Sequence, residues 1–244
     1  MKKLMAICLV ITIAISISAC SANSVTQTNN DTENEEQPKE QPVEAKMSPL
    51  EIAQKCYQIL AKFADVADSF GADICIAWYA GIWNDSELIN DGIQFLGNKL
   101  ALTEDELRDG AANVYLTKEG INVSEVSDEQ WEEARQQANQ LLINAQNEGS
   151  LFDTCIDIVC RAYLENGAYE LIDDSLPTMK EPIKALDGES EYYEPLKSYY
   201  SVVKTYCDWC ENPYGSYNDA EELLKNYRED CQQFKNKLDF DLGE

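Results

Sequence analysis

From residue 48 onward, apolar side chains recur at intervals of three and four, and the gaps between these runs carry the residue types that start and stop helices. Ser48-Pro49-Leu50-Glu51 combines a serine N-cap, a proline at the first helical position and a glutamate two residues further on. Behind it Ile52, Cys56, Ile59, Phe63, Val66, Phe70 and Ile74 keep one face, which predicts a long helix ending near Asn84-Asp85, with a bend where Gly71 or Gly81 weakens it. Shorter helical pieces follow, one from about Ser86 to Leu100 and one opened by the capping box Thr103-Glu104-Asp105-Glu106. The β-branched and turn residues of Asn113 to Val126 predict a loop or small hairpin.

Ser127-Asp128-Glu129-Gln130 opens the next helix, with Trp131, Ala134, Ala138, Leu141 and Ala145 on one face. The same phase resumes at Phe152, Ile156, Val159 and Tyr163, which favours one long helix through Gly149-Ser150 over a break recapped by Ser150 and Asp153. Pro177, Pro182 and Gly188 divide the next stretch into turns and a short helix. The doublets Tyr192-Tyr193, Tyr199-Tyr200 and Tyr206-Cys207 recur every seven residues, so one member of each should face a partner helix and the other its edge. Asn212-Pro213-Tyr214-Gly215 forms a turn, Ser216 with Asp219 caps the last helix, and Ala220, Leu223, Leu224, Tyr227, Cys231, Phe234 and Leu238 keep its phase for five turns. The fold expected for 48–244 is all-α, an antiparallel bundle of four or five principal helices.

Ahead of this domain the pattern vanishes. Residues 21–47 hold no aromatic side chain and abound in Asn, Gln, Thr, Glu and Pro, a composition that cannot bury enough apolar surface to offset chain entropy. Together with Cys20 they read as a disordered acidic tether over 20–47, with a mean reach of about 30 Å. Residues 1–19 read as an export signal: Lys2 and Lys3, an apolar run from Leu4 to Ile17, then Ser18 and Ala19. That run is too short to remain as a helix across a hydrocarbon core about 30 Å thick.

Ile17-Ser18-Ala19-Cys20 resembles the lipobox of type II signal peptides, with Ile17 where such motifs more often carry Leu. The resemblance implies that Cys20 is lipidated on sulfur and becomes the mature N-terminus, anchored by at least two acyl chains. The order of lipobox, polar tether and helical domain resembles small helical lipoproteins of Gram-positive bacteria, which implies a cell-membrane location on the extracytoplasmic face.

A formal net charge of -26, more negative still without Lys2 and Lys3, repels phosphate backbones and argues against nucleic acid as a partner. The absence of histidine removes Ser-His-Asp and Cys-His catalysis and His-ligated zinc, but leaves carboxylate-pair and thiol chemistry open. Seven cysteines remain after Cys20, and an exported location predicts a structural disulfide somewhere among them. Cys56 and Cys231 fall on apolar faces and read as packing. Cys207-Asp208-Trp209-Cys210 has the spacing of a redox pair or half a metal site, with Cys155 and Cys160 as conceivable partners. Its place at a helix C-terminus, between acidic residues, disfavours a thiolate. Glu165, Glu170, Asp173 and Asp174 read as a solvated acidic rim. Trp78, Trp83 and Tyr214 mark a candidate contact surface, although core and seam packing explains the spacing of Trp78, Tyr79, Trp83 and the tyrosine doublets more simply. No cofactor, metal or catalytic residue is implied. The expected role is a non-enzymatic binding or structural module of the cell envelope, with a protein or other envelope component as ligand. The alternative is a thiol-active or carboxylate-using extracytoplasmic enzyme.

Overall fold

The computed structural model describes residues 47–83, 85–188 and 190–242, so the expected signal segment, the expected lipidation site Cys20 and the expected tether up to residue 46 lie outside the described residues. The described chain is all-helical, without a strand. No helix in it is long and apolar enough to cross a membrane.

Helix α1, Pro49–Trp83, is the element around which the others assemble. Its start is fixed as the sequence predicts: the Ser48 amide donates to Glu51 Oε2 at 2.7 Å, and the Glu51 amide returns a bond to Ser48 Oγ at 3.3 Å. Cys56, Ile59, Phe63, Phe70 and Ile74 are buried along one face, while Ile52 and Val66 are half-buried at its margin. α1 runs uninterrupted through both glycines. Both glycines instead mark places where a neighbour reaches the α1 backbone: a Cβ on Gly71 would lie 1.8 Å from the Tyr206 hydroxyl, and one on Gly81 would lie 2.4 Å from Phe152 Cα. What propensity reads as weakness is room for a close approach.

The middle region holds α2, Asp85–Gly97, and α3, Glu104–Lys118. α2 is kinked at Gly92 (φ 53°), where the Ile93 amide donates to Asn139 Oδ1 at 3.1 Å. The Thr103–Glu106 capping box forms as predicted. The loop or hairpin expected from Asn113 does not form, because α3 continues to Lys118. Val114 and Leu116 are buried there, and Asn113 Nδ2 donates to Glu165 Oε1 at 2.6 Å, so tertiary contacts override β-branched propensity. Gly120, at φ 72°, then ends the helix, with the Ile121 amide bonded to the Leu116 carbonyl at 2.9 Å. A 3₁₀ turn, Val123–Glu125, follows.

The helix opened at Ser127 is also divided. α4, Asp128–Gln136, and α5, Ala138–Glu148, meet at Gln137, and α6, Leu151–Glu165, begins after Gly149-Ser150. Continuity through Gly149 is therefore overturned. Gly149 takes the left-handed conformation at φ 72°, its amide bonds to the Gln146 carbonyl at 3.2 Å, and the Ser150 amide bonds to Ala145 at 2.9 Å. This backbone motif satisfies the terminal carbonyls at little cost, and no side chain recaps α6. The apolar phase survives the break because both helices bury the same side: Ala138, Leu141 and Ala145, then Ile156, Val159 and Tyr163.

α7, Ala168–Ser175, a 3₁₀ turn, Leu176–Met179, and α8, Lys180–Lys184, form the region broken by prolines. α9, Tyr193–Glu211, and α10, Tyr217–Leu242, complete the chain. Of the tyrosine doublets, Tyr199 is buried and Tyr200 lies at the margin, as predicted. Tyr206 and Cys207 are both buried, whereas Tyr192 and Tyr193 are both half-buried, because α9 is covered on several sides, by α1, α8 and α10. Tyr206 stacks on Tyr227 with centroids 3.8 Å apart and planes 7° from parallel. Contacts between α1 and α10 run from Gln54 with Leu242, through Tyr57 with Asp239 and Asp68 with Arg228, to Tyr79 with Tyr217.

α3 lies against α6 at Gly110, where a Cβ would fall 2.2 Å from the Ile158 carbonyl oxygen and 2.7 Å from the Ala162 amide nitrogen, both rigid backbone atoms. Gly110→Ala should therefore cost about 2 kcal/mol or more in urea-monitored unfolding. Gly97→Ala, whose Cβ would meet Glu104 at an ordinary 3.6 Å, should change stability by less than about 0.5 kcal/mol.

Candidate functional site

At the C-terminal end of α1, the first turns of α6, the start of α7 and the α9–α10 turn surround a cleft of about 390 Å³. Helical spacing arranges its α6 wall in two rows, Phe152, Ile156 and Cys160 in one and Asp153, Asp157 and Arg161 in the next. Trp78 contributes from α1, Tyr169 from α7, Glu211 from the last turn of α9, and Tyr214 from the turn. That turn is held in place by two bonds: Trp209 Nε1 donates to the Tyr214 carbonyl at 3.3 Å, and the Tyr169 hydroxyl donates to the Glu211 carbonyl at 3.2 Å. Ser216 and Asp219 fix the start of α10 beyond it, the Ser216 amide donating to Asp219 Oδ2 at 2.8 Å.

Two carboxyl groups on the walls depart from ordinary acidity. Burial raises Asp157, with Arg161 and Lys118 pulling it back and Asp153 adding to the rise. Burial, then the negative charges of Asp173 and Asp208, push Glu211 up to about 7, against the opposing pull of Lys204. Glu211 Oε1 is buried without a hydrogen-bond partner. The four acidic residues read as a solvated rim are thus divided, with Asp173 near enough to raise Glu211 and Glu165 accepting from Asn113.

Trp83 and Tyr214 are exposed, at 53% and 73%, but Trp78 is buried and belongs to the cleft wall, so it is removed from the expected open contact surface. Trp78 and Tyr214 meet in the cleft. Trp83 instead packs with Tyr79 and edge-on against Tyr217, with centroids 4.8 and 5.2 Å away. Tyr79 and Ile82 are exposed beside it, giving this end of the molecule an apolar aromatic surface. A groove of about 550 Å³ between α1 and α10, lined by Ile76, Tyr79, Tyr217 and Leu224, adjoins it.

The described thiols are dispersed along the inner sides of several helices. All seven described cysteines are free, which overturns the expected disulfide. Each serves a helix's inner face as a small apolar group, and burial pushes Cys155, Cys160 and Cys207 up to about 12 and Cys210 well above its usual range. Cys160 and Cys210 do approach each other's surroundings, the Cys160 thiol facing the Cys210 carbonyl at 3.9 Å and the Cys210 thiol facing the Ala67 carbonyl at 3.8 Å. Among the described residues no three Cys, Asp or Glu side chains converge as metal ligands.

Sequence reasoning passed over Asp157 altogether and noticed Glu211 only as an acidic neighbour of the cysteines. The available signal was the Asp153, Asp157, Arg161 row at four-residue spacing beside an apolar row. Asp73 was missed too: it is buried and accepts from the Ala101 amide at 2.9 Å and the Tyr163 hydroxyl at 3.0 Å, anchoring the loop before α3.

Two outcomes follow from this chemistry. A disulfide reagent at pH 8 should modify Cys160, the half-buried thiol, first and the other described thiols only on unfolding, so rapid stoichiometric labelling of Cys207 and Cys210 in the native protein would contradict the arrangement. For Glu211 the folded value is raised from 4.5 to about 7, so the native state holds an extra proton between those limits and its contribution to stability declines as pH rises through them. Glu211→Gln should remove this decline, seen as a flatter dependence of the urea midpoint on pH between 5 and 7.5. Comparison of the chain with family models, with curated proteins and with solved structures gives no match.

Proposed function

We propose that the chain is the precursor of an extracytoplasmic lipoprotein, held to the cell membrane through lipid on Cys20, whose helical domain is a non-enzymatic binding module of the envelope. In this reading residues 1–19 are removed, residues 20–47 tether, and residues 48–244 form an antiparallel bundle. The anchor is supported by the sequence alone: Lys2 and Lys3, the apolar run from Leu4, and Ile17-Ser18-Ala19-Cys20. The bundle reading is supported by the pairing of rising α1 numbers with falling α10 numbers.

The observation that carries the binding role is the concentration of apolar side chains at one end: Tyr79, Ile82, Trp83 and Tyr214 are all exposed there, beside the cleft that Trp78 and Tyr214 line. Exposed aromatic groups rarely gather on a surface without a contact to make. The ligand reaches the module from outside the cell and is an envelope component or protein. One observation favours the alternative of a carboxylate-using enzyme, namely Glu211 at about 7, an acidity suited to a general acid near neutrality.

Mass spectrometry of protein from its native host should find the mature N-terminus at Cys20 carrying a thioether-linked diacylglyceryl group. Cys20→Ala should abolish incorporation of labelled palmitate and release the protein from the membrane fraction or leave its leader uncleaved. An unmodified thiol at position 20 with the leader gone would overturn the anchor.

A further inference from the structure

The cleft beside the α9–α10 turn has a composition that selects one kind of ligand. Asp153, Asp157 and Glu211 line it against a single guanidinium, that of Arg161, while Trp78 and Tyr214 supply ring surface. Its volume of about 390 Å³ falls in the range of roughly 300–1,000 Å³ typical of small-molecule sites. The buried Glu211 Oε1 has no hydrogen-bond partner, and such an acceptor gains from a charged donor brought by a ligand. An anion would enter against both this wall and a net charge of -26, whereas the same field concentrates cations at the surface. A bare metal ion is not matched, because no three carboxylate or thiolate side chains converge among the described residues. Aromatic faces, by contrast, attract an organic cation and its methylene stem together.

We propose that this cleft binds a small organic cation, a primary ammonium on a short alkyl stem, with the charge between Asp157 and Glu211 and the methylenes against Trp78 and Tyr214. The inference rests on the binding-module reading and gives that module a ligand chemistry. The ammonium is either that of a free amine or that of a lysine side chain on another molecule. Seating it favours the ionised form of Glu211 and so expels the proton that its raised carboxyl holds. Asp173 faces Glu211 from α7, and Asp208 and Lys204 face it from α9 itself; Asp157 is faced by Arg161 and Asp153 from α6 and by Lys118 from α3. Binding therefore tightens as pH rises through neutrality, with release of up to one proton.

Calorimetric titration of the full chain, in detergent at about 0.15 M salt to screen diffuse attraction, tests this with three probes: n-pentylamine, Nα-acetyl-lysine amide and n-pentanol. Saturable one-to-one binding of an amine at about 1 mM or tighter is expected, with n-pentanol at least tenfold weaker. Tighter binding of pentylamine assigns the site to free amines, and tighter binding of the lysine derivative assigns it to a polypeptide. Asp157→Asn and Glu211→Gln should each weaken the amine about tenfold, and Tyr214→Ala about threefold. Glu181→Gln, on α8 away from the cleft, should leave affinity within about twofold. Affinity should rise several-fold from pH 6 to pH 8, and the heat should vary with buffer ionisation enthalpy. If a carboxyl variant fails to fold, the 73% exposed Tyr214 still provides the test. No saturation by either amine, or equal weakening by Glu181→Gln, overturns the proposal. Either result would leave lipidation of Cys20 and the binding role of the exposed aromatic surface untouched.

Discussion

The structure depends on how closely other elements press against α1. A 35-residue helix buried along much of its length needs neighbours on several sides, and side chains of ordinary size on both partners would hold them too far away. Gly71 and Gly81 remove that spacing, one admitting the Tyr206 hydroxyl and the other the backbone of Phe152. Gly110 does the same between α3 and α6. These contacts draw α6 and α9 inward, and the aromatic stacks Phe70 on Tyr163 and Tyr206 on Tyr227 fill the space that remains. Fully burying one such side chain contributes about 1.5–3 kcal/mol, so the core gains from depth as well as from the number of its members.

The cleft follows from the same constraint. Phe152 is drawn to Gly81 at the first turn of α6, so the polar row beside it, Asp153 through Arg161, is brought against the α9–α10 turn instead of facing open water. Partial dehydration of Asp157 and Glu211 results from packing in the core, and the side chains around them do little to relieve it. A site of unusual acidity is thus generated by helix approach, without a histidine in the chain.

How much of this was legible in the sequence varies with the physical origin of each feature. Caps are local, and Ser48–Glu51, Thr103–Glu106, Ser127–Gln130 and Ser216–Asp219 all form where residue type and spacing predict. One-face burial is also local in period, which is why the inner faces of α1 and α10 could be read directly. The errors lie where a distant partner decides. Asn113 to Lys118 is helical because Glu165 and the adjoining core reward it, and Gly71 and Gly81 stand within a continuous helix where Tyr206 and Phe152 need the room. Gly149 misled in the opposite direction, since an unbroken apolar phase conceals a backbone stop that needs no side-chain signal. The cleft was half visible: Trp78, Tyr214 and Cys160 had been singled out, but their meeting with Asp157 and Glu211 depends on the packing of four separate elements.

One further consequence lies in the polarity of α1. At 1.5 Å per residue its 35 residues span about 50 Å, and Gln54 near its beginning bonds the carbonyl of Leu242 near the chain's other end. Both termini of the folded region therefore share one pole, while Trp83, Tyr214 and the cleft occupy the opposite one. Whatever is joined to either terminus, whether a flexible leash, a reporter or a solid support, emerges a whole molecular length from the cleft and leaves the approach to it from solvent unobstructed.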